Sequence, residues 1–264
     1  MREIDCELPL SEKRLPLWRE IFWLAEWFTL RSSAVYRGAG VPHGRFEPVL
    51  LVPGFLGSDQ SLKELSRWLG RVRYRAYASG IGRNADCPDV LLSKLIESVE
   101  AASRDSGQRL RVIGHSLGGT LARAAAVRRP DVISQVICLG SPIAGSSVHP
   151  LVVQLARAIA DRTPAPNARP RAHGDHYHDG TCACDVAETL AMPLSPEVTL
   201  ASIFSETDGV VDWSSSQVEP PATNIEVKAT HLGLPFNVGV YRAIALLLSN
   251  QRQDLTAVIT SAAV

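Results

Sequence analysis

The sequence has no excess of either charge: 27 lysines and arginines stand against 27 aspartates and glutamates. That removes the electrostatic footprint of a nucleic-acid binder and any bulk attraction to an anionic membrane. A small molecule is the expected partner. No apolar run approaches the length of a membrane span. The chain opens Met1-Arg-Glu-Ile-Asp-Cys-Glu7, without the basic start and apolar stretch of an export signal, so the expected compartment is the cytoplasm. Cysteines are few and odd in number, at 6, 87, 138, 182 and 184, and in that compartment they are expected to be reduced. Cys138 lies in an apolar run and reads as a small buried residue. No internal repeat is visible.

What is present fits a soluble globular protein: 264 residues, 45% hydrophobic and 20% charged, enough for one large core. Short apolar runs bounded by Gly and Pro read as strands buried on both faces. They are Pro48–Val52, Val72–Ala78, Leu110–Ile113, Val132–Leu139, Val198–Phe204 and Asn224–Val227. Helical patterns separate them, at Asp59–Leu69, Asp89–Ser103, Leu117–Arg128, Pro150–Ala160 and Asn237–Leu248. This alternation predicts an α/β fold with a mostly parallel central sheet of about six strands flanked by helices.

Residues 1–46 read as an N-terminal extension and connector, and 47–264 as the main domain, interrupted by a cap-like insert over 141–195. Leu15–Leu30 crowds Trp18, Ile21, Phe22, Trp23, Leu24, Trp27 and Phe28 together, broken by Arg19, Glu20 and Glu26. An amphipathic helix is expected there, its apolar face docked on the domain; rimming an acyl-binding cleft or touching a lipid surface is the alternative. A loop as long as the insert is usually functional or disordered, and its position after a strand end sets it over the edge where ligands of α/β sheets bind.

Within this pattern, Leu110-Arg-Val-Ile-Gly-His-Ser-Leu-Gly-Gly119 is an apolar strand running into a serine held between glycines, the layout of a nucleophile elbow. A serine hydroxyl is a weak nucleophile until a tight turn lifts it out and a base stands beside it. In sheets that carry such an elbow the chain order is nucleophile, acid, base. Val198–Phe204 runs into Ser205-Glu-Thr-Asp-Gly-Val-Val-Asp212, which puts Asp208 just past a strand end; Asp212 and Glu206 are its rivals. Farther on, Ala229-Thr-His-Leu-Gly-Leu234 sets His231 on the next such loop. His173, His176 and His178 precede any acid strand, and His115, on the elbow itself, is expected to point away from Ser116. Two backbone N–H groups should receive the oxyanion, that of Leu117 after the nucleophile and that of Phe55 in Pro53-Gly-Phe-Leu-Gly57. Leu56, Arg83 and Asn84 are candidate substrate contacts, the last two in Gly80-Ile-Gly-Arg-Asn84, where pinning the loop is an equal alternative.

These motifs, with Ile203-Phe-Ser-Glu-Thr-Asp-Gly-Val-Val-Asp-Trp213 and His231-Leu-Gly-Leu234, together resemble the α/β-hydrolase superfamily, particularly its small bacterial esterases and lipases. The resemblance covers about Glu47 to Leu248. It implies Ser116 as nucleophile, Asp208 as acid and His231 as base, in agreement with chain order and position. It implies cleavage of carboxylic esters, with thioesterase, acyltransferase, perhydrolase or non-catalytic binding as alternatives, an acyl ester or lipid-like substrate, and no cofactor. Where the family often has His-Gly in its first oxyanion loop this chain has Pro53-Gly54, a minor departure because the donors are backbone amides. The N-terminal segment lies outside the resemblance.

Between His173 and Asp185 three histidines, two cysteines and several aspartates invite a zinc reading. Cys182-Ala-Cys184 is too tight for the usual chelating spacing, so no metal site is assigned; the insert is read as an unbridged cover, with a disulfide through Cys182 or Cys184 as the alternative.

Overall fold

Alternate residues of Pro48-Val-Leu-Leu-Val52 feed two hydrophobic cores, and that alternation organises the sheet. The computed structural model describes residues 15–143 and 184–250. Strand β1 (Pro48–Val52) sends Val49 and Leu51 into one core, with Leu65 and Trp68 of helix α2 (Lys63–Arg71) and Tyr241 and Ile244 of helix α7 (Val238–Leu248). Leu50 and Val52 enter the other, with Leu91 and Leu95 of helix α3 (Pro88–Ser106) and Leu121 and Ala125 of helix α4 (Leu117–Arg128). Each of these Val, Leu and Ile side chains contributes about 1.5–3 kcal/mol on burial. Trp68 ties together the elements on one face of the sheet: its Nε1 donates to the Val35 carbonyl at 2.8 Å, and its ring lies 4.6 Å from that of Tyr241.

Five further strands complete the sheet: β2 (Arg75–Ala78), β3 (Leu110–His115), β4 (Ile133–Leu139), β5 (Thr199–Phe204) and β6 (Thr223–Glu226). The order is β2-β1-β3-β4-β5-β6, and every neighbouring pair is parallel. From β1 the chain moves outward to β2, then returns to the other side of β1 to form β3. Winding reverses there, so the loops leaving β1 and β3 diverge and open the crevice in which ligands of such sheets bind.

Some boundaries differ from those the sequence suggests. The strand expected from Val72 begins only at Arg75, because α2 runs on to Arg71 and Arg73 turns the chain at a φ of 64°. The helix expected from Asp59 starts as a 3₁₀ turn, Asp59–Leu62, and Asp59 accepts from Ser79 N–H and Gly80 N–H, tying the end of β2 to it.

The N-terminal segment departs furthest from expectation. It is a 3₁₀ turn (Leu17–Phe22) followed by helix α1 (Trp23–Ser32), docked through Leu30 and Trp23 with most of its apolar side chains left outside. Trp18, Ile21, Phe22, Leu24 and Phe28 are exposed, whereas Glu20 is buried.

The insert leaves after β4 and returns as helix α5 (Cys184–Ala191), which packs on α3 and α4. Asp89 in the first turn of α3 accepts the Val186 N–H at 2.9 Å, and Arg123 donates to the Leu190 carbonyl at 2.8 Å. The expected helix Pro150–Ala160 and the His173–Cys182 run lie outside the described residues. Cys87, next to α3, is disulfide-bonded, which overturns the expectation of reduced cysteines; Cys138 is free and buried. No helix of the described residues is long and apolar enough to cross a membrane.

Candidate active site

Ser116 sits between β3 and α4 at φ 52°, ψ −127°, a strained conformation for a residue with a side chain. Its N–H is held by the Leu139 carbonyl at 2.8 Å, and close packing on either side forces the turn. A Cβ on Gly114 would run into the backbone of Gly118 and Gly119, and one on Gly118 into the carbonyls of Val52 and Pro53. The elbow is thus pressed against the end of β1. A Cβ on Gly54 would lie 3.1 Å from Ser116 Cβ, so the β1 loop passes directly beside the serine.

Past the ends of β5 and β6, Asp208 and His231 meet. Asp208 Oδ2 lies 2.7 Å from His231 Nδ1, and both side chains are almost wholly buried. The other carboxylate oxygen accepts the N–H groups of Val210 and Val211, each at 2.8 Å, fixing its rotamer. Of the rival acids, Glu206 is exposed, and Asp212 caps helix α6 (Trp213–Ser216) by accepting the Ser214 N–H at 3.1 Å. Burial alone would lower the His231 pKa; the charge and hydrogen bond of Asp208, with the charge of Glu20, outweigh it and raise the value above 6.5. Nδ1 is committed to Asp208, which leaves Nε2 as the imidazole's basic nitrogen. Among the described residues the Ser116 hydroxyl makes no hydrogen bond, and such bonds often tighten only when substrate arrives.

The sheet, its winding reversal and an elbow at that reversal decide the architecture. The chain has an α/β-hydrolase fold. A family model described as a PGAP1-like alpha/beta domain matches residues 89–161. Solved structures of the same fold include a metagenomic carboxyl esterase, 15% identical, with a TM-score of 0.60 over 93% of this chain and 94% of that one. Another is a monoacylglycerol lipase of Paleococcus ferrophilus, 18% identical, with a TM-score of 0.54 over 80% and 96%. A third is a soluble variant of the monoglyceride lipase of Saccharomyces cerevisiae, 15% identical, with a TM-score of 0.52 over 83% and 90%.

Other sequence-predicted residues take their places around this hydrolase fold. Phe55 lies in the turn after β1, and the Leu56 N–H is spent on the Asn84 carbonyl at 2.7 Å. Leu117 is the first residue of α4, where an amide has no partner within its own helix. Leu56 is half-buried and Arg83 exposed, so both are open to contact. Asn84 is not: it is fully buried, its Nδ2 donates to the Pro53 carbonyl at 2.7 Å and its N–H to the Gly57 carbonyl at 2.8 Å. Of the two readings of Asn84, these bonds favour the brace that shapes the loop carrying Phe55.

The structural roles of His115 and Glu20 escaped the sequence reading. His115 reaches the base loop. Its ring lies 4.9 Å from that of His231, and its Nε2 donates to the His231 carbonyl at 3.0 Å. Burial and the neighbouring imidazole lower its pKa to about 3, so it stays neutral. Glu20 accepts N–H bonds from residues on both the acid and base loops. A charge set among tryptophans and phenylalanines was the only signal for it. Among the described residues no cluster of histidine, cysteine or acidic side chains could hold a metal.

Proposed function

We propose that the protein is a serine hydrolase of carboxylic esters working through Ser116, His231 and Asp208. The observation that carries this reading is the buried Asp208–His231 pair, which lies past the strand ends on the same sheet edge as the elbow of Ser116. In the proposed mechanism His231 Nε2 takes the Ser116 proton as Oγ attacks the ester carbonyl, and Asp208 stabilises the imidazolium formed. The N–H groups of Phe55 and Leu117 receive the oxyanion, each worth on the order of 3 kcal/mol to the transition state. His231 returns the proton to the leaving alcohol, then activates the water that clears the acyl-enzyme.

An acyl chain is the favoured substrate element. The exposed Trp18, Ile21, Phe22 and Phe28 supply an apolar rim able to meet lipid or an interface. The disulfide of Cys87 favours an oxidising compartment over the cytoplasm.

Fluorophosphonate labelling tests the chemistry: wild type is labelled and Ser116→Ala is not. Equal labelling of both, or of neither, removes the enzyme reading and leaves a binding protein. p-Nitrophenyl esters of rising chain length test the substrate, with turnover expected to grow beyond acetate; a sharp preference for acetate ends the lipid-like version. Thioester substrates and acyl acceptors in the same assay separate hydrolysis of oxygen esters from the related transfers that this triad also supports.

A further inference from the structure

The burial of the N-terminal segment is the reverse of what its composition suggests. Trp18, Phe22 and Phe28 face outward, and the carboxylate of Glu20 goes in. A buried carboxylate is costly unless its oxygens are satisfied, and these are satisfied by backbone N–H groups. Oε1 accepts from Gly209 at 2.9 Å and from His231 at 3.0 Å, while Oε2 accepts from Leu232 at 2.7 Å. One oxygen therefore joins the residue after the candidate acid to the candidate base. A Cβ on Gly209 would lie 2.8 Å from this oxygen, so the acid loop approaches Glu20 as closely as glycine permits. A second glutamate, Glu26, accepts the Thr230 N–H at 2.8 Å beside it.

We propose that Glu20 is a positioning residue for the hydrolysis described above: its carboxylate ties the Asp208 loop to the His231 loop and sets a second negative charge beside the imidazole. The assignment rests on the Ser-His-Asp reading for its catalytic meaning, though its geometry is independent of it. His231 is held at both ends of its backbone, the N–H by Glu20 and the carbonyl by neutral His115. Among the described residues, the titratable groups acting on the ring are Asp208, Glu20 and His115, with Glu26 behind Thr230. Asp208 and Glu20 both favour the imidazolium.

Glu20→Gln keeps the shape and removes the charge. The pKa of His231, followed by NMR on histidine-labelled protein, is expected to fall by about 0.5 unit or more. The acid limb of kcat/KM should move to lower pH with it. The maximal rate is expected to drop about 10- to 100-fold, mainly in kcat. Glu20→Asp keeps the charge but withdraws it by one methylene; it lowers the rate and moves the titration less, and it carries the test if the glutamine variant does not fold. A rate unchanged in both variants, or a Glu20→Gln titration superimposable on wild type, overturns the assignment. A merely structural anchor would lower the melting temperature without moving that titration. If wild type is not labelled at Ser116 the hydrolase reading falls, and the His231 titration still decides the role of Glu20.

Discussion

At Asp208 the two carboxylate oxygens do different work: one is fixed by the amides of Val210 and Val211, the other faces His231 Nδ1. Asp208→Asn preserves the first and turns the second toward the wrong tautomer of the imidazole. It is expected to cut kcat by about 10³- to 10⁴-fold with little change in melting temperature, measured as ester turnover beside a thermal melt. The raised pKa of His231 has a sign consequence. Only the neutral ring accepts the serine proton, so the acid limb of kcat/KM is expected above the 6.5 of an ordinary histidine; a limb at or below 6.5 contradicts it. In stability the same shift works the other way: the Asp208–His231 attraction is fully present below the unfolded value and is lost as pH rises through the folded one.

Among the elements, α4 and the loops after β1 and β3 matter most to the site. Leu117-Gly-Gly-Thr-Leu-Ala-Arg-Ala-Ala-Ala126 opens with glycines and buries alanines, which lets the helix lie unusually close to the sheet. Gly118→Ala is expected to destabilise the fold by about 3 kcal/mol or more, because the added methyl meets carbonyls of β1's end that cannot move aside. Chemical denaturation reads this, and a loss below about 1 kcal/mol would contradict the packing described. The sequence made β1, β3 and the elbow legible because both strands bury apolar runs and end at glycines or proline. It misplaced the start of β2 because Val72 and Tyr74 have strand-like side chains in a turn set by Arg73. Glu20 could not be read locally: its partners are 189 to 212 residues away, and its neighbours advertise the opposite face.

Over the whole molecule, one anchor of the insert's returning end lies at the start of α3, where Asp89 accepts the Val186 N–H two residues after the disulfide-bonded Cys87. Alkylation under non-reducing conditions followed by peptide mapping is expected to leave Cys87 unmodified and cross-linked. Cys138, buried and with its thiol pushed up to about 12, should react only after unfolding. Free Cys87 in native protein would remove the case for an oxidising compartment.

The long reach of Glu20 also orders events in time. At translation rates of about 5–20 residues per second, Glu20 is synthesised about 10–40 s before Leu232, the last amide it binds. Until then the loop bearing Asp208 lacks both its histidine and its clamp. A growing chain therefore carries the serine elbow before the proposed acid and base, so turnover by the proposed triad would begin only after residue 232 has been made.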